Sequence, residues 1–193
     1  MDDIFIQKRG LNYRKFQLKE NKIIVETKSY SKINKYEIYF TELGFDLHYV
    51  RDNTLPGKAT FWITTLIPVA IFISSYYNKT MQPGMIVFFT IVFWGFSLFN
   101  YLKEHQDDIF LVGGHKNIVF YRTKPDENEV LDYIEKVKTR MKEYYKGKLA
   151  VVDVSVHENE FKSRLNWLLA KEIITNSEKE NLLTEFNLKR ILE

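Results

Sequence analysis

The sequence predicts an α+β protein in which one antiparallel sheet domain is split by two long apolar helices and followed by a small helical hairpin. Three observations predict this class. Apolar residues recur with a period near two both before residue 59 and after residue 107, an almost uncharged stretch lies between, and helical spacing dominates from residue 130. We therefore expect residues 1–58 and 103–147 to form the two halves of a β-domain, 59–102 the apolar helices, and 148–193 a linker with a helical hairpin.

The first half of the β-domain is predicted from short β-branched and aromatic runs. Residues 21–27 form one such run, and residues 36–40 and 45–50 form two more around a four-residue connection that ends in Gly44. A glycine at that position suits the left-handed residue of a hairpin loop. We therefore expect 36–40 and 45–50 to pair as a β-hairpin with one half-buried face.

The apolar stretch divides into two runs, about residues 59–77 and 84–102. A helix of roughly 20 apolar residues crosses a bilayer core of about 30 Å, and each run comes close to that length. The connection holds Pro83, Gly84 and the only charge of the stretch, Lys79. Such residues favour a turn over one continuous helix. The runs therefore predict a two-helix transmembrane hairpin.

Basic residues predict the orientation of this hairpin. Arg51 and Lys58 precede the first run and Lys103 follows the second, whereas the connection carries one lysine. Lys and Arg in short flanking segments favour the cytoplasmic side, so both termini are expected in the cytoplasm. The alternative is a buried helix pair in a soluble α/β core. The flanking segments, about 90 residues on the C-terminal side, are too polar and too short to enclose two such helices.

The second half of the β-domain resumes after the hairpin. Residues 108–112 and 117–121 are apolar runs around Gly113-Gly114-His115-Lys116, which predicts two strands and a turn. Pro125 and the acidic residues after it predict a helix start. The expected helix carries one apolar face, formed by Val130, Ile134, Val137 and Met141.

The C-terminal part predicts two amphipathic helices after an extended linker, residues 148–154. Thr175 and Glu178 have the spacing of a capping box for the second helix. A helical hairpin of this size buries little by itself, so we expect it to dock on the main domain or on another copy. The side chains expected to mediate self-association are Leu165, Leu168, Leu169, Leu182, Leu183 and Phe186.

Several strands are followed by a strand hairpin and then by an amphipathic helix. This order resembles the bacterial pleckstrin-homology-like (PH-like) domain of small membrane proteins, and residues 120–131 carry most of the resemblance. The resemblance covers about residues 11–146. It implies a partly open β-barrel closed by a C-terminal helix, with a role in binding or oligomerisation and without catalytic residues. It also implies a bacterial inner-membrane location.

Residues 165–178 are similar to the short C-terminal helical hairpin called SHOCT. That module has leucines, then a turn such as Gly-Ile-Ile-Thr, then a glutamate; here Glu172 stands where glycine is usual. The resemblance implies self-assembly or a protein partner.

The sequence offers little catalytic chemistry. The absence of cysteine excludes disulfides and cysteine nucleophiles. His105, Asp107, Asp108 and His115 are candidate metal ligands, but they also suit a solvated linker next to a strand. The Gly113–Lys116 segment joins two strands, whereas a phosphate loop leads from a strand into a helix. We therefore expect no cofactor and no metal.

The favoured function is a non-enzymatic, membrane-anchored interaction protein that recruits a partner or a second copy. Arg51, Lys58 and Lys103 are possible contacts to lipid headgroups. The net charge of +3 is small, and no nucleic-acid partner is expected. Two alternatives stay open: a membrane-embedded inhibitor or protector that acts through its hairpin, and a membrane-bound metal-dependent enzyme.

Overall fold

A computed structural model describes residues 3–29, 31–51, 57–78, 82–102 and 107–192. The chain divides into two compact units, residues 1–49 with 108–193, and residues 50–107. The strands are β1 (Asp3–Arg9), β2 (Asn12–Leu18), β3 (Lys22–Ser29), β4 (Lys32–Tyr39), β5 (Asp46–Arg51), β6 (Asp107–Val112) and β7 (Ile118–Tyr121). The helices are α1 (Gly57–Asn78), α2 (Pro83–Leu102), α3 (Glu127–Leu149), α4 (Glu158–Ala170) and α5 (Asn176–Leu192). The α+β class is confirmed.

The first sheet is an antiparallel meander in the order β1-β2-β3-β4. Its register places Phe5 opposite Phe16 and Phe16 opposite Val25. Because side chains alternate between the two faces of a strand, one face collects the apolar residues. The fully or almost fully buried members of that face are Phe16, Leu18, Ile23, Val25 and Ile38.

The second sheet has the order β5-β6-β7, so the strand that precedes the apolar helices lies beside the strand that follows them. The expected hairpin of residues 36–40 with 45–50 is wrong, because β4 and β5 belong to different sheets and a 3₁₀ turn, Phe40–Glu42, lies between them. Gly44 was expected to supply the left-handed residue of a hairpin loop, but the structure requires glycine there because of close packing. A Cβ there would overlap the carbonyl oxygen of Val112, so the glycine permits close backbone approach.

The two sheets do not close into a barrel within the described part of the chain. Their end strands β1 and β7 are joined through the side chain of Gln7, which is fully buried. Its Nε2 donates to the carbonyl oxygen of Tyr121 at 2.8 Å, and the Tyr121 N–H donates to its Oε1 at 2.9 Å. The Gln7 side chain thus satisfies the N–H and the carbonyl oxygen of Tyr121, which would otherwise need a neighbouring strand as their partner.

Helix α3 covers the open side of the sheets. Asp126 caps it by accepting a hydrogen bond from the Asn128 N–H at 3.0 Å, and Pro125 lies before this cap. The predicted apolar face is confirmed and includes Tyr133 as a fifth buried residue. It packs against both sheets in one core, whose fully buried members include Phe16, Phe40, Phe120, Ile109 and Ile134.

Helices α4 and α5 form the predicted helical hairpin, and it docks on its own domain. The capping box is present: the Thr175 N–H donates to Glu178 Oε2 at 2.8 Å, and the Glu178 N–H donates to Thr175 Oγ1 at 3.2 Å. A second apolar cluster joins the two helices to the end of α3 and to Phe45. The α4–α5 turn passes through Glu172 with φ 55°, the left-handed region.

The unit of residues 50–107 contains α1 and α2, which pack against each other. Thr64 Oγ1 donates to Ser97 Oγ at 2.5 Å, and Ser97 Oγ donates to the Phe61 carbonyl oxygen at 3.2 Å. Ser97 and Ser75 are buried in this contact region, as small polar residues often are between apolar helices. Pro68 lies inside α1.

Candidate interaction surfaces

The outer surface of α1 and α2 is apolar and exposed. Within the described residues one helical segment, Phe61–Asn78, is long and apolar enough to cross a membrane, and 11% of it is buried. In α2 the corresponding apolar segment is shorter, Val87–Leu98. Exposed large side chains cover both helices, among them Trp62, Leu66, Phe72, Phe88, Trp94 and Phe96. A contiguous apolar surface of this kind marks contact with lipid or with protein.

Of the three predicted headgroup contacts, the structure describes the side chain of Arg51 alone. Arg51 is exposed at the end of β5. Lys58 lies in the first turn of α1 with a side chain outside the described part, and Lys103 lies outside the described residues altogether. Lipid contact by these three residues stays a prediction.

Two other basic residues near the N-terminus have a defined role inside the domain. The guanidinium carbons of Arg9 and Arg14 lie 3.9 and 3.8 Å from the ring centroid of Tyr121. Arg9 Nη2 is 3.1 Å from Asp108 Oδ1, and Arg14 Nη2 is 3.7 Å from Asp108 Oδ2. Burial lowers the pKa of Arg14, and Tyr121 and Asp108 oppose that shift. These arginines hold β7 and β6 against β1 and β2.

Of the candidate metal ligands, Asp107 and Asp108 lie at the start of β6, and His115 lies in the turn after it. Asp108 is the ion-pair partner of two arginines, and His115 is exposed in the turn at the far end of the β6–β7 pair. His105 lies outside the described residues. In the part of the chain that the structure describes, no group of three His, Asp or Glu side chains could hold a metal ion.

The predicted self-association residues face their own chain. Leu165, Leu168 and Phe186 have no exposed surface, and the rings of Phe161 and Phe186 stack at 4.8 Å. Leu169, Leu182 and Leu183 are partly buried in the same cluster. Self-association through these leucines stays a prediction, and it would require the hairpin to leave its domain.

An aromatic seam marks where α4 docks. The rings of Tyr145 and Trp167 lie 4.9 Å apart, and the Tyr145 hydroxyl donates to the Phe40 carbonyl oxygen at 3.0 Å. A cavity of about 350 Å³ adjoins this seam, and its lining includes Gly113, His115 and Lys171. Tyr145 of α3 thus contacts both Trp167 of the helical hairpin and the Phe40 backbone of the β-domain.

An acidic groove that was not predicted from the sequence lies between β1 and the first turns of α3. Its lining includes Glu129, Asp132, Tyr133 and Lys136 from the helix. Asp132, Tyr133 and Lys136 follow Glu129 by three, four and seven residues, so all four lie on one helix face. This spacing is the feature of the sequence from which the helix side of the groove could have been predicted. The partner strand β1 could not be identified from that spacing.

No protein-family model, curated protein or solved structure matches the chain.

Proposed function

We propose that this chain is a non-enzymatic interaction protein anchored in the bacterial inner membrane by α1 and α2. Its β-domain and helical hairpin lie on the cytoplasmic side and recruit a protein partner or a second copy. The observation that carries the proposal is the exposed apolar surface of α1, whose segment Phe61–Asn78 is only 11% buried. In water this surface would cost about 25 cal/mol per Å² of apolar area, whereas lipid chains remove that cost.

The inner contact of the two helices supports a membrane hairpin. An α-helix pairs its backbone groups within itself, as a bilayer requires, apart from the carbonyl that Pro68 leaves without a donor in α1. The polar side chains Thr64 and Ser97 bond to each other and to the Phe61 carbonyl oxygen instead of facing outward. The second helix carries no charged residue over its 20 positions, which supports a second crossing.

A PH-like domain and a SHOCT-like hairpin are part of this proposal. A four-strand meander, a three-strand sheet and a long helix in that order support the first assignment. The left-handed conformation of Glu172, at the position where the module has glycine, supports the second. Both modules imply binding rather than catalysis.

Single-cysteine labelling tests the membrane topology, because the native chain has no cysteine of its own. We would introduce Leu11→Cys, Gln82→Cys and Thr139→Cys separately, all at exposed positions. A membrane-impermeant maleimide is then added to intact spheroplasts and to permeabilised ones. Two crossings predict that the cysteine at position 82 alone reacts in intact spheroplasts.

The other outcomes overturn distinct parts of the proposal. A single crossing by α1 would place positions 82 and 139 on the same side, opposite position 11. If the protein stayed in the soluble fraction after cell lysis, anchoring itself would be wrong.

A further inference from the structure

The acidic groove lies between β1 and α3, which belong to the same compact unit. It has a volume of about 320 Å³ and is lined by Asp3, Ile4, Phe5, Glu129, Asp132, Tyr133 and Lys136. Its strand side is formed by the first three described residues of β1, and its helix side by one face of α3. The groove is therefore a slot between a strand and a helix.

The strand side of this groove is a sheet edge. In the sheet, β1 is an end strand whose backbone pairs with β2. Gln7 uses its side chain to join β1 to Tyr121, and Asp3–Phe5 lie before that junction. An end strand beside a groove is the geometry to which extended peptides add as a further strand.

The groove carries an excess of negative charge, in contrast to the net charge of +3 of the whole chain. Asp3, Glu129 and Asp132 contribute carboxylates, and Lys136 is the only cation among the described residues that line the groove. Lys136 Nζ is 2.8 Å from Asp3 Oδ2. Glu129 and Asp132 form no ion pair with any described residue. The groove is thus complementary to a cationic group.

Tyr133 lies on the wall of the groove and carries a hydroxyl without a hydrogen-bond partner among the described residues. The residue is 7% exposed, and its ring stacks on Phe5 at 4.5 Å. Burial raises the pKa of this hydroxyl, and the charge of Asp3 raises it further. A buried hydroxyl without a partner destabilises the folded state, and phenylalanine would fill the same space without that cost.

We propose that this groove binds an extended basic peptide segment of a partner protein, with a lysine or arginine side chain inserted among Asp3, Glu129 and Asp132. The cation takes the place of Lys136 at Asp3, and the Tyr133 hydroxyl accepts a hydrogen bond from it. Releasing Lys136 costs little, because its ion pair with Asp3 is largely exposed to solvent and such pairs contribute little to stability. This inference rests on the proposed recruiting function and names the chemistry of the partner.

A pair of synthetic peptides tests the charge requirement. The probes are Lys-Val-Lys-Val-Lys-Val-NH₂, with fluorescein attached to its N-terminal amine, and the same labelled peptide with glutamate in place of lysine. Fluorescence anisotropy is measured with the full chain in dodecyl maltoside, a non-ionic detergent. We expect the lysine peptide to bind, and the double variant Glu129→Gln, Asp132→Asn to weaken it about tenfold.

A matched control separates the groove from general charge attraction. The variant Glu180→Gln, Glu185→Gln removes the same charge from α5, and we expect it to leave the affinity unchanged. If the glutamate peptide binds equally well, or if both double variants weaken binding equally, the proposed site is wrong.

Tyr133→Phe separates a binding role from a structural one. We expect this variant to unfold at the same or a higher temperature, while peptide affinity falls about threefold or more because one hydrogen bond is lost. Unchanged affinity would overturn the role of Tyr133. The peptide measurement needs no membrane, so its failure is distinguishable from failure of the topology experiment.

Discussion

At the scale of single residues, Glu172 adopts a conformation that its side chain disfavours. Its φ of 55° lies in the left-handed region, where a non-glycine residue costs roughly 1 kcal/mol or more. The turn is nevertheless held by backbone bonds on both sides: the Glu172 N–H donates to the Leu169 carbonyl oxygen and the Ile173 N–H to that of Leu168, each at 2.9 Å. The docked helices therefore impose this conformation on the turn.

Replacing this residue by glycine should stabilise the protein. We expect Glu172→Gly to raise the free energy of unfolding by about 0.5–1 kcal/mol, because glycine adopts positive φ without strain. Denaturant unfolding followed by circular dichroism measures the change. Glu180→Gly is the matched control; it lies inside α5 and should destabilise by about 1 kcal/mol. Equal effects of the two substitutions would show that the turn is not strained.

At the scale of elements, Glu178 in the first turn of α5 connects this helix to α3. Glu178 belongs to the capping box and also lies 2.5 Å from Lys146 Nζ of α3. The hydrogen bond from Lys146, followed by that from the Thr175 N–H, lowers the pKa of Glu178 to about 2. One carboxylate thus serves both the helix cap and the contact between α5 and α3.

This carboxylate predicts a pH dependence. The pKa is lowered in the folded state, so the stabilisation by Glu178 is fully present above its ordinary pKa of about 4.5 and is lost as the pH falls towards 2. We expect the difference in unfolding temperature between the native chain and Glu178→Gln to be largest above pH 4.5 and to shrink below it. The control Glu180→Gln lies on the same helix outside the capping box. A difference that does not change over this pH range would contradict the assignment.

Elements with local signals were predicted from the sequence, and long-range pairings were not. The capping box at Thr175, the apolar face of α3 and the helical hairpin depend on residues a few positions apart, so spacing reveals them. The separation of β4 from β5 depends on partners distant in sequence. Gln7 and Tyr133 resemble an ordinary strand residue and an ordinary core residue until the fold places them beside Tyr121 and Asp3.

At the scale of the whole molecule, both apolar cores are formed, among the described residues, without α1 and α2. Their members come from residues 5–47 and 109–186. The strands on either side of the insertion, β5 and β6, are neighbours in one sheet. Neighbouring strands lie about 5 Å apart, so a short loop can connect them.

We therefore expect residues 52–106 to be dispensable for folding of the β-domain. Replacing them by a short Gly-Ser loop should yield a protein that stays in solution without detergent and unfolds cooperatively, because both cores are intact. Circular dichroism and thermal unfolding provide the measurement. The same loop replacement combined with Ile109→Asp serves as the disrupted control, because Ile109 is fully buried. An unfolded or aggregated product from the first replacement would show that folding of the β-domain depends on residues 52–106.

The adjacency of β5 and β6 also bears on how the protein is made. A ribosome delivers β5 before the apolar helices and β6 after them, so the second sheet cannot assemble until both helices have been synthesised. Closing a long flexible loop between two strands costs entropy that grows with its length. In the proposed topology, a helical pair folded back on itself in the bilayer would shorten that loop. Insertion into the membrane would then be the step that allows the β-domain to mature.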